Sequence, residues 1–324
     1  MSFFISAHIL SLITGFFLDI CIGDPAWRVH PVRLIGKVVS WGERLFYRKN
    51  GFFAGAVLFI FTISVVSAPY FFILFFAYNV SALLYIVFSS LGVWTALSIK
   101  DMKKQVLPVA DALDKKDMPL ARQSLSLIVS RDTQLMERPK IVSSAIETVG
   151  ENFTDAVFSP VIYAFLAGGF GAVFYKAVST LDSMVGYRND RYEKFGAVSA
   201  KADDIMGFIP ARVSIIPIML GAALAGENPA DARKTYIKYR KSHSSPNSAH
   251  GIAAFAGALR VTLGGTVSYG GVECFKPEII GGKEPLSSLK IRRALKIYED
   301  GAFFAILMAS GILWLFAHIC NQIK

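Results

Sequence analysis

The residues best equipped for chemistry lie between Glu147 and Arg191. The stretch opens E-T-V-G-E-N-F-T-D, which spaces Glu147, Glu151 and Asp155 four residues apart. On an α-helix this spacing sets three carboxylates along one slowly drifting stripe. Such a stripe repels itself unless positive charge sits among it, and no Lys or Arg occurs between Lys140 and Lys176. The counter-charge must come from a divalent cation, from arginines elsewhere in the fold, or from a substrate; a solvated acidic face is the plain structural alternative. After an apolar segment, Asp182, Tyr187, Arg188, Asn189, Asp190 and Arg191 bring both charge signs, an amide and a phenol together. Asp203-Asp204 and Pro210-Ala211-Arg212 follow. Polar groups this dense beside membrane-like segments are costly unless they act, so the region reads as a site.

The elements that must position these residues are apolar. Of 324 residues, 53% are hydrophobic and 18% charged, and the mean hydropathy is +0.46. Those values point to several membrane segments rather than a soluble globule. The net charge of +10 is spread through loops between apolar segments, as expected of cytoplasmic loops facing anionic lipid or polyanionic substrates. No RNA- or DNA-reading motif accompanies it, so no nucleic-acid partner is expected. Cys21, Cys274 and Cys320 form neither a CxxC nor an even set, which excludes a disulfide framework and a zinc knuckle.

The pattern predicts an all-α, polytopic integral membrane protein, a single domain over 1–324, with helical cytoplasmic segments and irregular Gly/Ser/Asn-rich loops. Spans are expected at about 3–22, 52–68, 70–95 and 301–320, with a tight turn at Pro69. Cytoplasmic segments are expected at about 23–51, 100–155 and 227–300. Arg28, Arg33, Lys37, Arg44, Arg48 and Lys49 follow the first span while no base precedes it, so the positive-inside rule puts the N-terminus outside. Val38–Tyr47, with Trp41 and Arg44, suits an interfacial helix. Two apolar segments, 156–174 and 211–226, are short and interrupted by Pro160, Gly168–Gly171 and Pro217. They either span or re-enter, with the broken backbone facing a polar cavity. The second reading puts Asp155, Asp182, Asp204 and the Ser245–Asn247 loop in one cytoplasmic pocket. The turns K-S-H-S-S-P-N-S and L-G-G-T-V-S-Y-G-G expose backbone N–H groups suited to phosphate, and no G-x-x-x-x-G-K-[ST] is present.

Several motifs in fixed order resemble those of the CbiB/CobD family of membrane proteins, the adenosylcobinamide-phosphate synthases. They are Gly23-Asp24-Pro25 with His30-Pro31-Val32-Arg33-Leu34-Ile35-Gly36, Arg131-Asp132-Thr133, and Glu147-Thr148 with Glu151-Asn152 and Asp155. Ser179-Thr180-Leu181-Asp182-Ser183-Met184-Val185-Gly186-Tyr187-Arg188-Asn189 continues the set, followed by Asp203-Asp204, Ile209-Pro210-Ala211-Arg212 and Ser245-Pro246-Asn247-Ser248. There are departures. Gly150 and Phe208 stand where another small residue and a Trp are common, and Ala249-His250-Gly251-Ile252 replaces an expected acid-bearing pattern.

The resemblance implies an ATP-dependent ligase of cobalamin (vitamin B12) biosynthesis. It would join adenosylcobyric acid, a corrinoid, to an aminoalcohol phosphate, aminopropanol or ethanolamine phosphate, through an amide bond. ATP and Mg2+ are the implied co-substrate and ion. The expected catalytic residues are Glu147, Glu151, Asp155, Asp182, Arg188 and Arg191. Substrate and phosphate binding is expected of Arg33, Arg131, Asp132, Asn152, Tyr187, Asn189, Arg212, Ser245, Asn247, Gly264 and Gly265. Asp155, Asp182, Asp203 and Asp204 are the expected Mg2+ ligands. The expected location is the cell membrane, with the site facing the cytoplasm and association with other membrane enzymes of the pathway. A transporter also breaks helices around charges but normally shows repeated halves. A CDP-alcohol phosphotransferase carries a D-G-x-x-A-R order that is missing here.

Overall fold

A backbone in hydrocarbon must satisfy its own polar groups, and apolar runs of this length do so as helices. The computed structural model describes residues 2–24, 30–49, 51–187 and 189–322. It is 76% helical. In order come α1 (Ser2–Cys21), α2 (Pro31–Phe46), α3 (Phe52–Val80), α4 (Ala82–Ala96), α5 (Ile99–Asp114), α6 (Met118–Ser126) and α7 (Arg138–Phe153). A π-helical turn, Thr154–Phe158, leads into α8 (Ser159–Val185). Then follow α9 (Ala197–Val213), α10 (Ile215–Leu224), α11 (Pro229–Tyr239), α12 (Ser248–Ala258), the antiparallel pair β1 (Thr262–Tyr269) and β2 (Val272–Ile280), and α13 (Ser288–Gln322). Five helical stretches among the described residues are long and apolar enough to cross a membrane, and a bent pair, α9 with α10, adds a sixth if it counts as one span.

Two expectations about local structure change. The turn falls at Ser81, not Pro69. A proline removes one intrahelical hydrogen bond, which membrane helices tolerate, and α3 runs through Pro69 to Val80. Ser81 supplies what Pro69 lacks, because its Oγ accepts the Leu84 N–H at 3.1 Å and caps α4. The second change is the segment L-G-G-T-V-S-Y-G-G, which is a strand and its turn rather than an irregular loop. Gly270 and Gly271, both with positive φ, form the two-residue connection that matches the twist of the flanking strands.

The helix breaks follow the prolines and glycines. Pro160 cannot bond the carbonyl four residues back, and the π turn at Thr154–Phe158 absorbs the defect. Within α8 the backbone leaves the helix at Ala167 and at Gly168, where φ is 59°. The Gly169 N–H freed near this break donates to Ser89 Oγ at 2.8 Å. Pro210 similarly frees the Met206 carbonyl, and Tyr163 Oη donates to it at 2.9 Å. Between α9 and α10 the axis bends by 45° at Ser214, three residues before Pro217.

The chain divides into two compact units. The first comprises Met1–Ser98, Ser159–Gly207 and Ile306–Lys324; the second comprises Ile99–Phe158 and Phe208–Ala305. In the first unit, Ile35 and Val39 of α2, Leu58 of α3, Ala177, Leu181 and Val185 of α8, and Phe195 form a buried cluster. In the second unit, α7 packs on α12 through Gly150 and Gly251. A Cβ on Gly251 would stand 2.0 Å from the Gly150 carbonyl oxygen. Substituting Gly251→Ala should therefore destabilise the protein by about 1–3 kcal/mol, the usual cost of overpacking. Gly311→Ala, which meets nothing within 4 Å, is the control. Thermal unfolding in detergent checks this; equal midpoints for the two variants would contradict the close packing.

Candidate active site

In the second unit, α7 starts with Pro139 in its first turn, a placement that costs no internal hydrogen bond. Its apolar side packs inward, and that rotation buries Glu147, which is 3% exposed. A buried carboxylate must find donors. Glu147 has them on both oxygens. Oε1 accepts Ser143 Oγ at 2.8 Å and the Gly264 N–H at 3.0 Å, and Oε2 accepts Arg131 Nη2 at 2.6 Å. Arg131 Nη1 also donates to Ser144 Oγ at 2.9 Å, and Lys140 Nζ donates to the Gly264 carbonyl at 2.7 Å. The counter-charge for this carboxylate is thus an arginine from elsewhere in the fold, one of the three sources the spacing left open. Through these bonds Glu147 holds Arg131 and the start of β1 in place.

Asp132 does for the hairpin tip what Glu147 does for its base. Its Oδ2 accepts Ser268 Oγ at 2.7 Å and the Gly271 N–H at 2.8 Å. Those donors hold its carboxyl below the usual range. Arg131, Thr133, Lys140, Ser268, Gly271 and Glu273 are among the residues lining a recess of about 940 Å³. Its charge is mixed, and its volume lies within the usual range for small-molecule sites.

One helical turn on from Glu147, Glu151 faces a different loop. Ser248 Oγ donates to its Oε1 at 2.8 Å. The same loop receives Arg212, whose Nη1 donates to Asn247 Oδ1 at 3.4 Å and to the Phe208 carbonyl at 2.6 Å. The guanidinium lies over the Phe208 ring, 3.3 Å from its centroid. Asn247 precedes α12 without capping it by its side chain. Ser245 N–H donates to His243 Nδ1 at 3.1 Å, which leaves the proton of the neutral ring on Nε2. Burial holds His243 below its ordinary value, against the pull of Glu151. Asn152 donates to the Thr148 carbonyl of its own helix at 2.9 Å. Asp155 sits in the π turn, and Gly264 and Gly265, both with positive φ, form the bulge of β1.

The remaining expected site residues belong to the first unit, apart from Arg188, which lies outside the described residues. Arg191 Nη2 and Tyr192 Oη both donate to Glu43 Oε1 at 2.8 Å, and Asn189 Oδ1 accepts the backbone N–H groups of Arg191 and Tyr192. Arg191 and Asn189 therefore shape a loop against α2. Tyr187 is half exposed. Asp182 of α8 lies within electrostatic reach of Asp203 and Asp204 of α9, and Asp203 Oδ1 is buried without a hydrogen bond. These are hard oxygen donors of the kind Mg2+ takes. No three His, Cys, Asp or Glu among the described residues converge to hold a metal alone. The set fits an ion that completes its shell with substrate phosphates and water. Asp155, expected with these three, belongs to the second unit.

Sequence reading missed His243 and Lys140. His243 is the one imidazole in the Ser/Asn-rich loop before Pro246, and Lys140 is the last base before the acidic stripe. Both signals were in the chain.

Taken together, the helices and the polar loops of the second unit define a polytopic membrane protein with a built polar site. The chain belongs to the CobD/Cbib protein family, whose sequence profile matches residues 12–298. It is thus placed in cobalamin biosynthesis. It is 37% identical to the cobalamin biosynthesis protein CobD of Listeria monocytogenes over 304 residues, 92% of this chain and 96% of that one. It is 38% identical to the protein of that name from Geobacter metallireducens over 301 residues (92% and 95%) and 36% identical to that of Clostridium perfringens over 303 residues (93% and 96%). No solved structure matches.

Two outcomes follow from this geometry. Removing one partner of a buried ion pair costs about 3–5 kcal/mol. Glu147→Gln should therefore lower the unfolding midpoint strongly, and the double change Arg131→Met with Glu147→Leu should recover part of the loss. A double variant no better than the single one would reject the pair as the cause. His250, buried beside Tyr236 Oη (3.1 Å), has its pKa lowered from 6.5 to about 4, by burial first and then by Arg212 and Arg240. A depressed histidine is neutral in the fold and charged when unfolded, so its contribution is present above about pH 6.5 and lost as pH falls towards 4. Unfolding midpoints across that window should fall less steeply for His250→Asn than for the parent. Parallel curves would reject the assignment.

Proposed function

We propose that this protein is the ATP-dependent ligase that joins adenosylcobyric acid to an aminoalcohol phosphate, giving adenosylcobinamide phosphate. The observation that carries the reading is that Glu151 and Arg212 are tied to one loop, Ser245–Ser248, at the start of α12. A helix N-terminus with an arginine beside it favours a phosphate. A carboxylate on the same loop suits an ammonium and can accept its proton. Phosphate and amine are the two ends of the aminoalcohol phosphate.

In this reading Arg212, the Ser245 hydroxyl and the N–H groups opening α12 hold the phosphate. Glu151 accepts the proton as the amine attacks, with Asp155 one turn on as the second candidate base. The corrinoid carboxylate is first activated by transfer of the ATP γ-phosphoryl group to one of its oxygens, releasing ADP. The amine then forms the C–N bond and inorganic phosphate leaves, so atoms and charge balance. Bound Mg2+ would neutralise nucleotide phosphate charge, with one or two of Asp182, Asp203 and Asp204 as protein donors and phosphate oxygens and water completing its shell. ATP is a cytoplasmic reagent, so the site faces the cytoplasm from the cell membrane.

Purified protein supplied with ATP, Mg2+, adenosylcobyric acid and aminopropanol or ethanolamine phosphate should form the amide and release ADP in equal amount. No product with either amine, or product formed without ATP, would overturn the proposal. Losing a proton acceptor costs about 10²-fold or more in turnover, and Glu151→Gln should show it with its unfolding midpoint retained. Arg212→Gln should instead raise the KM for the aminoalcohol phosphate by about 10–100-fold, as expected for a charged hydrogen bond. If the KM for ATP rises instead, the phosphate assignment at Arg212 is wrong.

A further inference from the structure

We propose that α2 carries a binding site for the headgroup of an acidic glycerophospholipid, seated against Arg33, Lys37 and Arg44. At 3.6 residues per turn the sixteen residues of α2 sort into distinct arcs. Ile35, Val39 and Gly42 are buried, packed towards Leu58, Leu181 and Phe195 in the first unit. Beside that arc lie Leu34, Trp41 and Leu45, which are 43%, 55% and 57% exposed. Beyond it, Arg33, Lys37, Ser40 and Arg44 recur at spacings of four, three and four along one stripe.

Each arc points to a different medium. α2 joins the end of α1 to the start of α3, two of the apolar helices long enough to span. It therefore belongs at the level where those helices leave the hydrocarbon. An exposed apolar arc there has lipid, not water, as its natural neighbour, and tryptophan is a residue of that boundary. The Trp41 ring packs on Phe61 of α3, 5.4 Å between centroids, so the arc continues the outer surface of a span.

The basic stripe is where the headgroup chemistry lies. Arg33, Lys37, Ser40 and Arg44 line a recess of about 580 Å³ that Gly36 and Met184 close. None of its three cations pairs with a carboxylate among the described residues. The acid on the same helix, Glu43, points to other donors, Arg191 and Tyr192. Unneutralised cations next to a lipid-facing apolar arc match a phosphodiester whose acyl chains lie along that arc. A water-soluble phosphate would use the cations and leave the apolar arc without an occupant.

The test uses full-length protein, delipidated in a neutral detergent and then offered phosphatidylglycerol or phosphatidylcholine, with retained lipid read by native mass spectrometry. Phosphatidylglycerol should be retained about ten-fold better, and Lys37→Gln with Arg44→Gln should remove that preference. Lys37→Arg with Arg44→Lys, which keeps the charge, should restore it. In parallel, phosphatidylglycerol carrying brominated chains should quench Trp41 fluorescence in the parent protein, with Trp41→Phe as the reference, so the test does not depend on the double variant folding. Equal retention of the two lipids would overturn the proposal. So would release of phosphatidylglycerol by millimolar glycerol phosphate without any quenching of Trp41, which would make this a site for a soluble phosphate. Neither readout involves amide formation, so this result and the ligase reading stand or fall separately.

Discussion

The second unit depends on one buried charge. Glu147 lies in the helix face that packs inward, and its carboxylate survives there because three donors meet it: Ser143, the Gly264 N–H and the guanidinium of Arg131, which is itself fixed by Ser144. Each donor comes with a piece of structure. Arg131 brings the Arg131–Thr133 segment, whose Asp132 then holds the hairpin turn through Ser268 and Gly271. Gly264 brings the bulge of β1, and Lys140 secures the same residue through its carbonyl. Isolated two-stranded hairpins are marginal in water. This one is held by charge-assisted hydrogen bonds to α7 at its base and to the Arg131–Thr133 segment at its tip, which makes its position a property of the buried pair.

The first unit solves a different problem, that of broken backbone among apolar helices. Its defects are answered by hydroxyls placed opposite them, Ser89 for the Gly169 N–H and Tyr163 for the Met206 carbonyl. Polar residues that look out of place in the apolar sequence are therefore not all candidates for chemistry. Some exist because a proline or glycine left a peptide group unsatisfied.

That distinction decides how much was legible in the sequence. Length, hydropathy and the break points were readable because they depend on composition and on proline geometry, both local. The acidic stripe was readable as a spacing, but its partners were not. Arg131 is sixteen residues from Glu147, and Gly264 is more than a hundred. Nothing in a four-residue repeat says which carboxylate faces a neighbour and which faces a loop. Asp132 is expected as a substrate ligand, and it also holds the turn of a hairpin that four glycines disguise. The Gly270-Gly271 turn before V-E-C-F was a usable hairpin signal. Pro69 misled because a strong breaker in water is a tolerated residue in lipid.

The same accounting separates the arginines of the second unit. Arg131 lies along the recess, but its charge is already neutralised by Glu147 at 2.6 Å. An incoming phosphate would have to compete with a buried carboxylate for it, and the carboxylate would be left unpaired. Arg212 has no such partner among the described residues. It donates to a carbonyl and an amide oxygen and rests on an aromatic ring, all neutral groups. Those contacts fix its direction without cancelling its charge. A guanidinium oriented by neutral groups is available to an anion, whereas one oriented by a carboxylate is not. In the proposed reaction the phosphate-binding role therefore falls to Arg212, while Arg131 is tied into the frame that holds the hairpin in place.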